Sequence, residues 1–442
     1  MKNIIYKNKW TQFILLTLFV SSFALSSCKT EDDGISTPIK ISKVYLENVN
    51  SSVPDREVQF ARLSQTIRLE GSGFVGVQKV FINGYKTYFN PVLISDNSML
   101  VTISRETPTL EAPEDIRNTI RLEKSVTNFV VHPFEIRAAA PSITRISHTM
   151  PQAGELIVIY GTGLQNVTEI TFPGDIVVTK ADGIESDDER GRWCTVIVPN
   201  IGENSGEVFL KSINGGAYSP AYFNRREGLL QNFDDKLPGN GGWSSGEVSD
   251  DLTDVIPAGA GNLPKSQGTY RSLNKGGKQM AASENQVDLS RYWMNLPPWE
   301  EASAGIAMNT STANCGVQMD IYYEGEWNSG HIRFVVADGW GASRYSMLYA
   351  PWAEGGNRTV VENFGCWFTI TFPFSNSEDF KDLTLESVLN QYNEANYKQS
   401  GPWLENGNMN GVESRASNLG NVYFDNIRVV PLAAREYSDY PE

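Results

Sequence analysis

Residues 67–74 read IRLEGSGF and residues 157–164 read IVIYGTGL, so Gly71 and Gly73 recur 90 residues later as Gly161 and Gly163. The same offset carries Val80 onto Ile170 and Gly84 onto Gly174. Each copy starts on a short strand-like run, ISKVYL from Ile41 and PSITRIS from Pro141. Each closes on alternating runs, NTIRL and NFVVHPFEIR in the first, GEVFLKS and PAYFNRR in the second. Alternation of period two puts one set of side chains on each face of a strand. Short strands of this kind, parted by Gly, Pro and Asn turns, predict antiparallel sandwiches of about 85–100 residues. A strand ending in Gly-x-Gly turns through positive backbone dihedrals that other residues enter only at a cost. A phosphate-binding loop would need a third glycine and a following helix, whereas here a strand follows.

Both copies resemble IPT/TIG domains, immunoglobulin-like modules with a strand-Gly-x-Gly turn near the start and a Val-Pro near the middle. Val198-Pro199 and the Gly206 turn fit that pattern in the second copy; the first has Glu106-Thr107-Pro108 and an acidic insertion instead. The resemblance implies two Ig-like sandwiches in tandem, over residues 41–138 and 139–225.

Ahead of them, Lys2, Lys7 and Lys9 precede an apolar run from Phe13 to Leu25. The run is too short for a spanning helix of about 20 residues and suits the core of a signal peptide. Leu25-Ser26-Ser27-Cys28 resembles a bacterial lipobox, which makes 1–27 a removed signal peptide, Cys28 a lipidated N-terminus and 28–40 a tether. At about 0.8 kcal/mol per buried methylene, several acyl chains hold a protein on a membrane. Lys29-Thr30-Glu31-Asp32-Asp33 resembles the short signal that sends Bacteroidetes lipoproteins to the outer face of the outer membrane. Cys194, Cys315 and Cys366 remain, an odd number beside strand-like runs. Buried small apolar roles are expected for them, with a Cys315–Cys366 bridge as the alternative.

Against 37 basic residues stand 52 acidic ones, a net charge of −15, and no segment clusters its basic residues. That excludes a nucleic-acid partner and disfavours an acidic polysaccharide. Only His132, His148 and His331 occur, far apart, which argues against histidine-rich metal centres and against a Ser-His-Asp triad.

Eight of the ten tryptophans lie between Trp243 and Trp403, so function is expected in residues 226–434. This block opens with LLQNFDD (229–235), closes with NVYFDNIRVV (421–430) and holds the strand candidates QMDIYY, HIRFVVA, SMLYA and WFTITFPF. One helix is predicted, capped by Ser377 with Glu378 and Asp379 in its first turn and an apolar face of Phe380, Leu383, Val388, Leu389 and Tyr392. The pattern predicts a β-jelly-roll, making the whole protein all-β.

A pyranose ring has an apolar C–H face ringed by hydroxyls, so indole planes rimmed by polar side chains hold a neutral glycan. Trp293, Trp299, Trp327, Trp340 and Trp352 sit in polar or Gly/Pro-rich surroundings and are the predicted glycan-binding platform. Arg291, Asn328 and Arg344 are its predicted polar partners, with Asn295, Glu300 and Asp338 nearby. Trp367, inside the strand CWFTI, is read as core, and Trp403, after Gly401-Pro402, is assigned to neither role. Asp234, Asp235 and Asp425, on the first and last strands, would hold a structural calcium if they converge; the alternative is turn-capping acids, and no cofactor is required.

The layout resembles the surface glycan-binding proteins of Bacteroidetes polysaccharide-utilisation loci, and the C-terminal block is similar to their xyloglucan-binding domain. The resemblance implies a non-catalytic outer-membrane lipoprotein facing the cell exterior. It would capture a neutral polysaccharide of hemicellulose, β-glucan or mannan type and pass it to a SusC/SusD-like transport complex. Two other readings compete: an extracellular glycoside hydrolase, with carboxylate pairs such as Glu300 and Glu301 or Glu324 and Glu326, and an adhesin recognising a protein.

Overall fold

The structure, a computed structural model, describes residues 36–47, 56–234, 270–274, 277–283, 291–337, 345–361 and 365–440. They fall into two compact units that part between Ala139 and Ala140, with Tyr440 counted in the first.

In the first unit, Lys40–Leu46, Thr66–Ser72 and Ser98–Thr102 form one sheet and Tyr85–Thr87, Lys79–Ile82, Thr119–Glu123 and Phe129–Pro133 another. Alternation places Ile67, Leu69, Val80, Ile82, Met99, Val101, Ile120 and Leu122 in the core. The second repeat builds the same pair of sheets. Ser142–Ile146, Leu156–Thr162, Trp193–Ile197 and Glu185–Ser186 form one, and Ile176–Thr179, Glu169–Phe172, Phe209–Ser212 and Gly215–Tyr218 the other. The expected closing strand PAYFNRR is absent; Phe223 makes only a bridge to Gly206.

The repeated glycines divide two tasks that the sequence alone assigns to one. Gly73 and Gly163 take positive φ, 72° and 70°, as a turn requires. Gly71 and Gly161 instead lie in the strand opposite a bulge in the partner strand. A Cβ there would sit 1.8 Å from the Lys40 carbonyl oxygen or 1.9 Å from that of Ser142. Neither backbone can yield without unpairing the edge strand, so Gly161→Ala is expected to cost about 3 kcal/mol in denaturant unfolding. A loss below about 0.5 kcal/mol, the ordinary surface range, would refute the close-approach role.

The C-terminal sandwich has nine described strands, numbered from its start: β1 Leu229–Gln231, β2 Arg271–Ser272, β3 Met294–Asn295, β4 Cys315–Tyr323, β5 His331–Val335, β6 Ser346–Tyr349, β7 Phe368–Pro373, β8 Gln399–Glu405 and β9 Val422–Pro431. One sheet runs β1-β9-β4-β7, with β2 also on β9, and the other runs β3-β8-β5-β6. Val317, Met319, Ile321, Phe424, Ile427 and Val429 from the first pack against Met294, Ile332, Phe334, Met347 and Leu404 from the second. The helix spans Leu385–Glu394, later than expected, with Thr384 rather than Ser377 as its N-cap. Asp382, at φ 58°, is left-handed and stops a helix from passing through it. Cys194 and Cys315 are buried and Cys366 is exposed; all three are free.

A buried polar joint welds the second repeat to this sandwich. Asp320 on β4 takes an Arg428 Nη2 hydrogen bond at 2.9 Å and one from Thr369 Oγ1 at 2.7 Å. From the repeat, Thr149 Oγ1 accepts from Arg428 Nη2 at 2.6 Å, and the backbone N–H of Thr369 donates to Ser147 O at 2.7 Å. His148 lies between two carboxylates, its Nε2 3.4 Å from Asp320 and its Nδ1 3.2 Å from Glu155. Burial alone would depress the imidazole, but Asp320 and Glu155 outweigh it and raise the pKa to about 9, so His148 is a cation at neutral pH. For Asp320 burial opposes ionisation, yet Arg428 and His148 together hold the carboxyl well below its ordinary range. Arg225, after the repeat's last bridge, reaches across as well, donating to Val429 O at 2.9 Å and Ala304 O at 2.7 Å.

Candidate functional site

Strands alternate faces, so whatever points away from the core on β3-β8-β5-β6 forms a second surface. Arg291 bridges Trp403 across from β8, Asn295 pairs with Gln399, and Glu405, Trp403 and Gly401 pair with His331, Arg333 and Val335 on β5. Arg333 and Val335 pair in turn with Leu348 and Ser346 on β6. The outer face therefore carries Arg291, Trp293 and Asn295, then Gln399, Gly401, Trp403 and Glu405, then His331, Arg333 and Val335, then Ser346 and Leu348. Gly401 is required by a close approach, because a Cβ there would meet the Tyr292 carbonyl oxygen at 2.2 Å.

Trp293 and Trp403 meet edge to face at 4.8 Å, with Val335 beneath them. The Arg291 guanidinium lies over Trp403, 4.0 Å from the ring centroid. Glu405 accepts from Arg333 Nε at 2.9 Å, lies 3.3 Å from His331 Nε2 and 3.7 Å from Arg291. Burial works against its charge, but His331 and Arg333 prevail and keep the carboxyl below the usual glutamate value. Arg333 also donates to Ser346 Oγ at 3.1 Å. The result is a packed patch of indoles and guanidinium groups in which Trp293 and Trp403 are 5% and 6% exposed, with Leu348 36% exposed at its margin.

Three buried nitrogens on this face, Arg291 Nε, His331 Nδ1 and Trp403 Nε1, have no hydrogen-bond partner. Arg291 Nε and Trp403 Nε1 are donors and His331 Nδ1 donates or accepts with its tautomer; a buried polar atom left unsatisfied costs about 1–3 kcal/mol, so three of them concentrate unmet polar groups on one sheet face.

Of the residues predicted from sequence, Trp293 and Arg291 lie here, and Asn295 does too. Trp299, Trp327 and Trp352 do not: at 2%, 1% and 0% exposure they belong to the core. Trp327 and Trp352 both donate their indole N–H to Gly330 O, at 2.8 and 2.6 Å, and Trp299 donates to Ser400 Oγ at 3.0 Å. Their Gly/Pro-rich surroundings are turns that fold back over the sandwich, which lets a loop tryptophan fill the core. Asn328 braces another loop, donating to Ala416 O and accepting from the Asn418 N–H, and Glu300 accepts from Asn393. Trp340, Arg344 and Asp338 lie outside the described residues, as do Cys28 and Asp235. Asp425 Oδ1 accepts from the Asn426 N–H and the Asp234 N–H donates to Asn232 Oδ1. Among the described residues no three His, Cys, Asp or Glu side chains are grouped to hold a metal. Trp367 is buried with Tyr270, Tyr322 and Tyr423 in a cluster separate from the main core.

Sequence reasoning missed Trp403, Arg333, His331 and Glu405. A signal existed: in HIRFV the polar and large residues alternate with Ile332 and Phe334. In QSGPWLE, Pro402 hides a strand whose odd positions are the outward ones.

A two-sheet sandwich whose outer sheet face carries paired indoles and fixed guanidinium groups is the build of a carbohydrate-binding module. Residues 223–431, just under half of the chain, match the model of the surface glycan-binding protein B xyloglucan binding domain, which supports a surface glycan-binding protein. The surface glycan-binding protein PbSGBP-B from Prevotella bryantii, a solved structure, is 18% identical. Its match covers 89% of this chain and 98% of that one with a TM-score of 0.61, which shows a shared fold. SGBP-B from a complex xyloglucan utilization locus in Bacteroides uniformis is 17% identical, over 88% and 99%, with a TM-score of 0.44. An IPT/TIG domain-containing protein of Bacteroides ovatus is 26% identical over 168 residues, which is 38% of this chain; the match spans only 33% of that relative's length.

Proposed function

We propose that the outer face of β3-β8-β5-β6 binds a neutral polysaccharide with a β-glucan backbone, xyloglucan first among them, and does not cleave it. The gathering of unsatisfied polar nitrogens around Trp293 and Trp403 carries this reading. A glucan chain offers acceptor hydroxyls at its rim and C–H faces to the indoles. The description of the matching family model supports xyloglucan.

Non-catalytic capture is supported by the acids. Cleavage by the common glycosidase route needs two carboxyls about 5–10 Å apart, one of them a proton donor with a raised pKa. Among the described residues of this face Glu405 is the lone carboxyl, and its ion pairs favour the anion.

The test is affinity electrophoresis of residues 34–442 in gels of xyloglucan, mixed-linkage glucan and galactomannan, with reducing ends assayed after long incubation. Retardation by xyloglucan without new reducing ends is expected. New reducing ends would make the protein a hydrolase. Absence of retardation in every gel would move the weight to a protein partner.

In the same reading the protein is held at the outer membrane through lipid on Cys28, with a SusC/SusD-like complex as the recipient of glycan. The lipobox-like stretch ending at Cys28 supports the anchor. Cys28→Ala is expected to shift the protein from the membrane pellet to the soluble fraction; membrane association unchanged by the substitution would overturn the anchor.

A further inference from the structure

Within the second unit a cleft of about 770 Å³ separates the second repeat from the C-terminal sandwich, and its walls come from both. Thr144 and Arg145 line it from one side, Leu348, Tyr349 and Glu354 from the other. Leu348 belongs to two surfaces at once. It lines this cleft, and on β6 it pairs with Arg333, which pairs with Trp403. Two strand spacings of about 4.8 Å put it about 10 Å from Trp403 on the same face. A polymer crossing the strands from Trp293 past Trp403 leaves the sheet at Leu348 and enters the cleft.

We infer that the second Ig-like repeat is part of the glycan site, its Arg145 and Thr144 contacting the stretch of chain that runs past Leu348. The inference rests on the proposed glycan reading of the Trp403 face. The walls have the chemistry for it. Arg145 is exposed on the side of the strand away from the repeat's core. Its guanidinium lies over the Tyr160 ring 3.7 Å from the centroid and carries N–H groups that can donate to hydroxyls. Tyr349 is half-buried against Trp327 and Phe372, with ring centroids 5.5 and 6.2 Å away, and so is fixed in place. Burial raises its hydroxyl to about 12, with Arg145 acting the other way and Glu354 adding to the rise, so it is a neutral donor facing both. The joint around Asp320 keeps the two walls from drifting apart, so the cleft is preformed.

Calorimetry with xyloglucan oligosaccharides of one and two backbone repeats tests this. Wild type is expected to bind the two-repeat sugar about tenfold more tightly than the one-repeat sugar, as an added linked contact does. Arg145→Ala should shrink that gain to within about twofold while leaving the one-repeat affinity unchanged, and Leu348→Asp should shrink it likewise. Arg145 is exposed, so loss of folding does not confuse the result. A length gain that survives both substitutions, or no gain in wild type, would overturn the role of the repeat and leave the Trp403 face standing. Failure of wild type to bind either sugar would overturn the glycan reading and this inference with it.

Discussion

Trp403→Ala is expected to weaken xyloglucan binding by at least about tenfold, the loss usual for an aromatic anchor at the centre of a site. The indole supports three things at once: the edge-to-face contact with Trp293, the stacked Arg291 guanidinium, and a buried N–H with no internal acceptor. Removing it frees Arg291 and, on the proposed reading, takes away the indole that sugar C–H groups would meet. Trp352→Ala is the contrasting change. Its ring is fully buried and its N–H is satisfied by Gly330, so the variant should lose about 3–5 kcal/mol of stability. The folded fraction should keep its affinity within about twofold. Retardation in xyloglucan gels together with thermal unfolding separates the two. If Trp403→Ala binds as wild type does, the face is not the site. If Trp352→Ala abolishes binding without loss of stability, the core assignment fails.

Asp320→Ala is expected to cost about 3–5 kcal/mol, because it strands Arg428 and His148 as buried charges without their anion. Replacing the pair together, Asp320→Leu with Arg428→Met, should cost less than the single change, since no uncompensated Arg428 charge remains. The joint also predicts a pH dependence. His148 titrates near 9 in the folded chain against 6.5 ordinarily, so its contribution is complete below pH 6.5 and fades as pH rises through 9. Asp320 is depressed from 3.8, so its contribution is present above that value and fades on acidification. Stability of the second unit should therefore be greatest between these limits and fall by on the order of 3 kcal/mol between pH 6 and pH 10. His148→Gln should flatten the alkaline limb. A wild-type melting temperature equal at pH 6 and pH 10 would show that His148 carries no charge in the joint.

The strands were legible because alternation and glycine spacing are local properties. Gly71, Gly73, Gly161 and Gly163 mark equivalent corners in both repeats, though why Gly71 and Gly161 are glycine became clear only with the bulged partner strand beside them. The helix boundary was misjudged because Asp382 leaves the helical region, a choice that the surrounding turns make and that Ser377 does not announce. The tryptophans were the hardest. Trp299, Trp327 and Trp352 look exposed by their neighbours in sequence and are buried by neighbours in space. Trp403 is a strand residue behind a proline, 6% exposed, whose partners Arg291 and Arg333 lie 112 and 70 positions away. Binding faces are assembled across strands, and cross-strand register is the information a single chain of letters withholds.

The joint at Asp320 also decides how the protein answers a pull. On the proposed reading, a swollen polymer held at Trp403 would tug as its free length moves. Asp320 and Arg428 sit on β4 and β9, neighbours at the centre of the sheet opposite the Trp403 face, and the bond from Arg428 to Thr149 would deliver that tension to the second repeat. The two sandwiches of this unit would then tilt together as one lever arm.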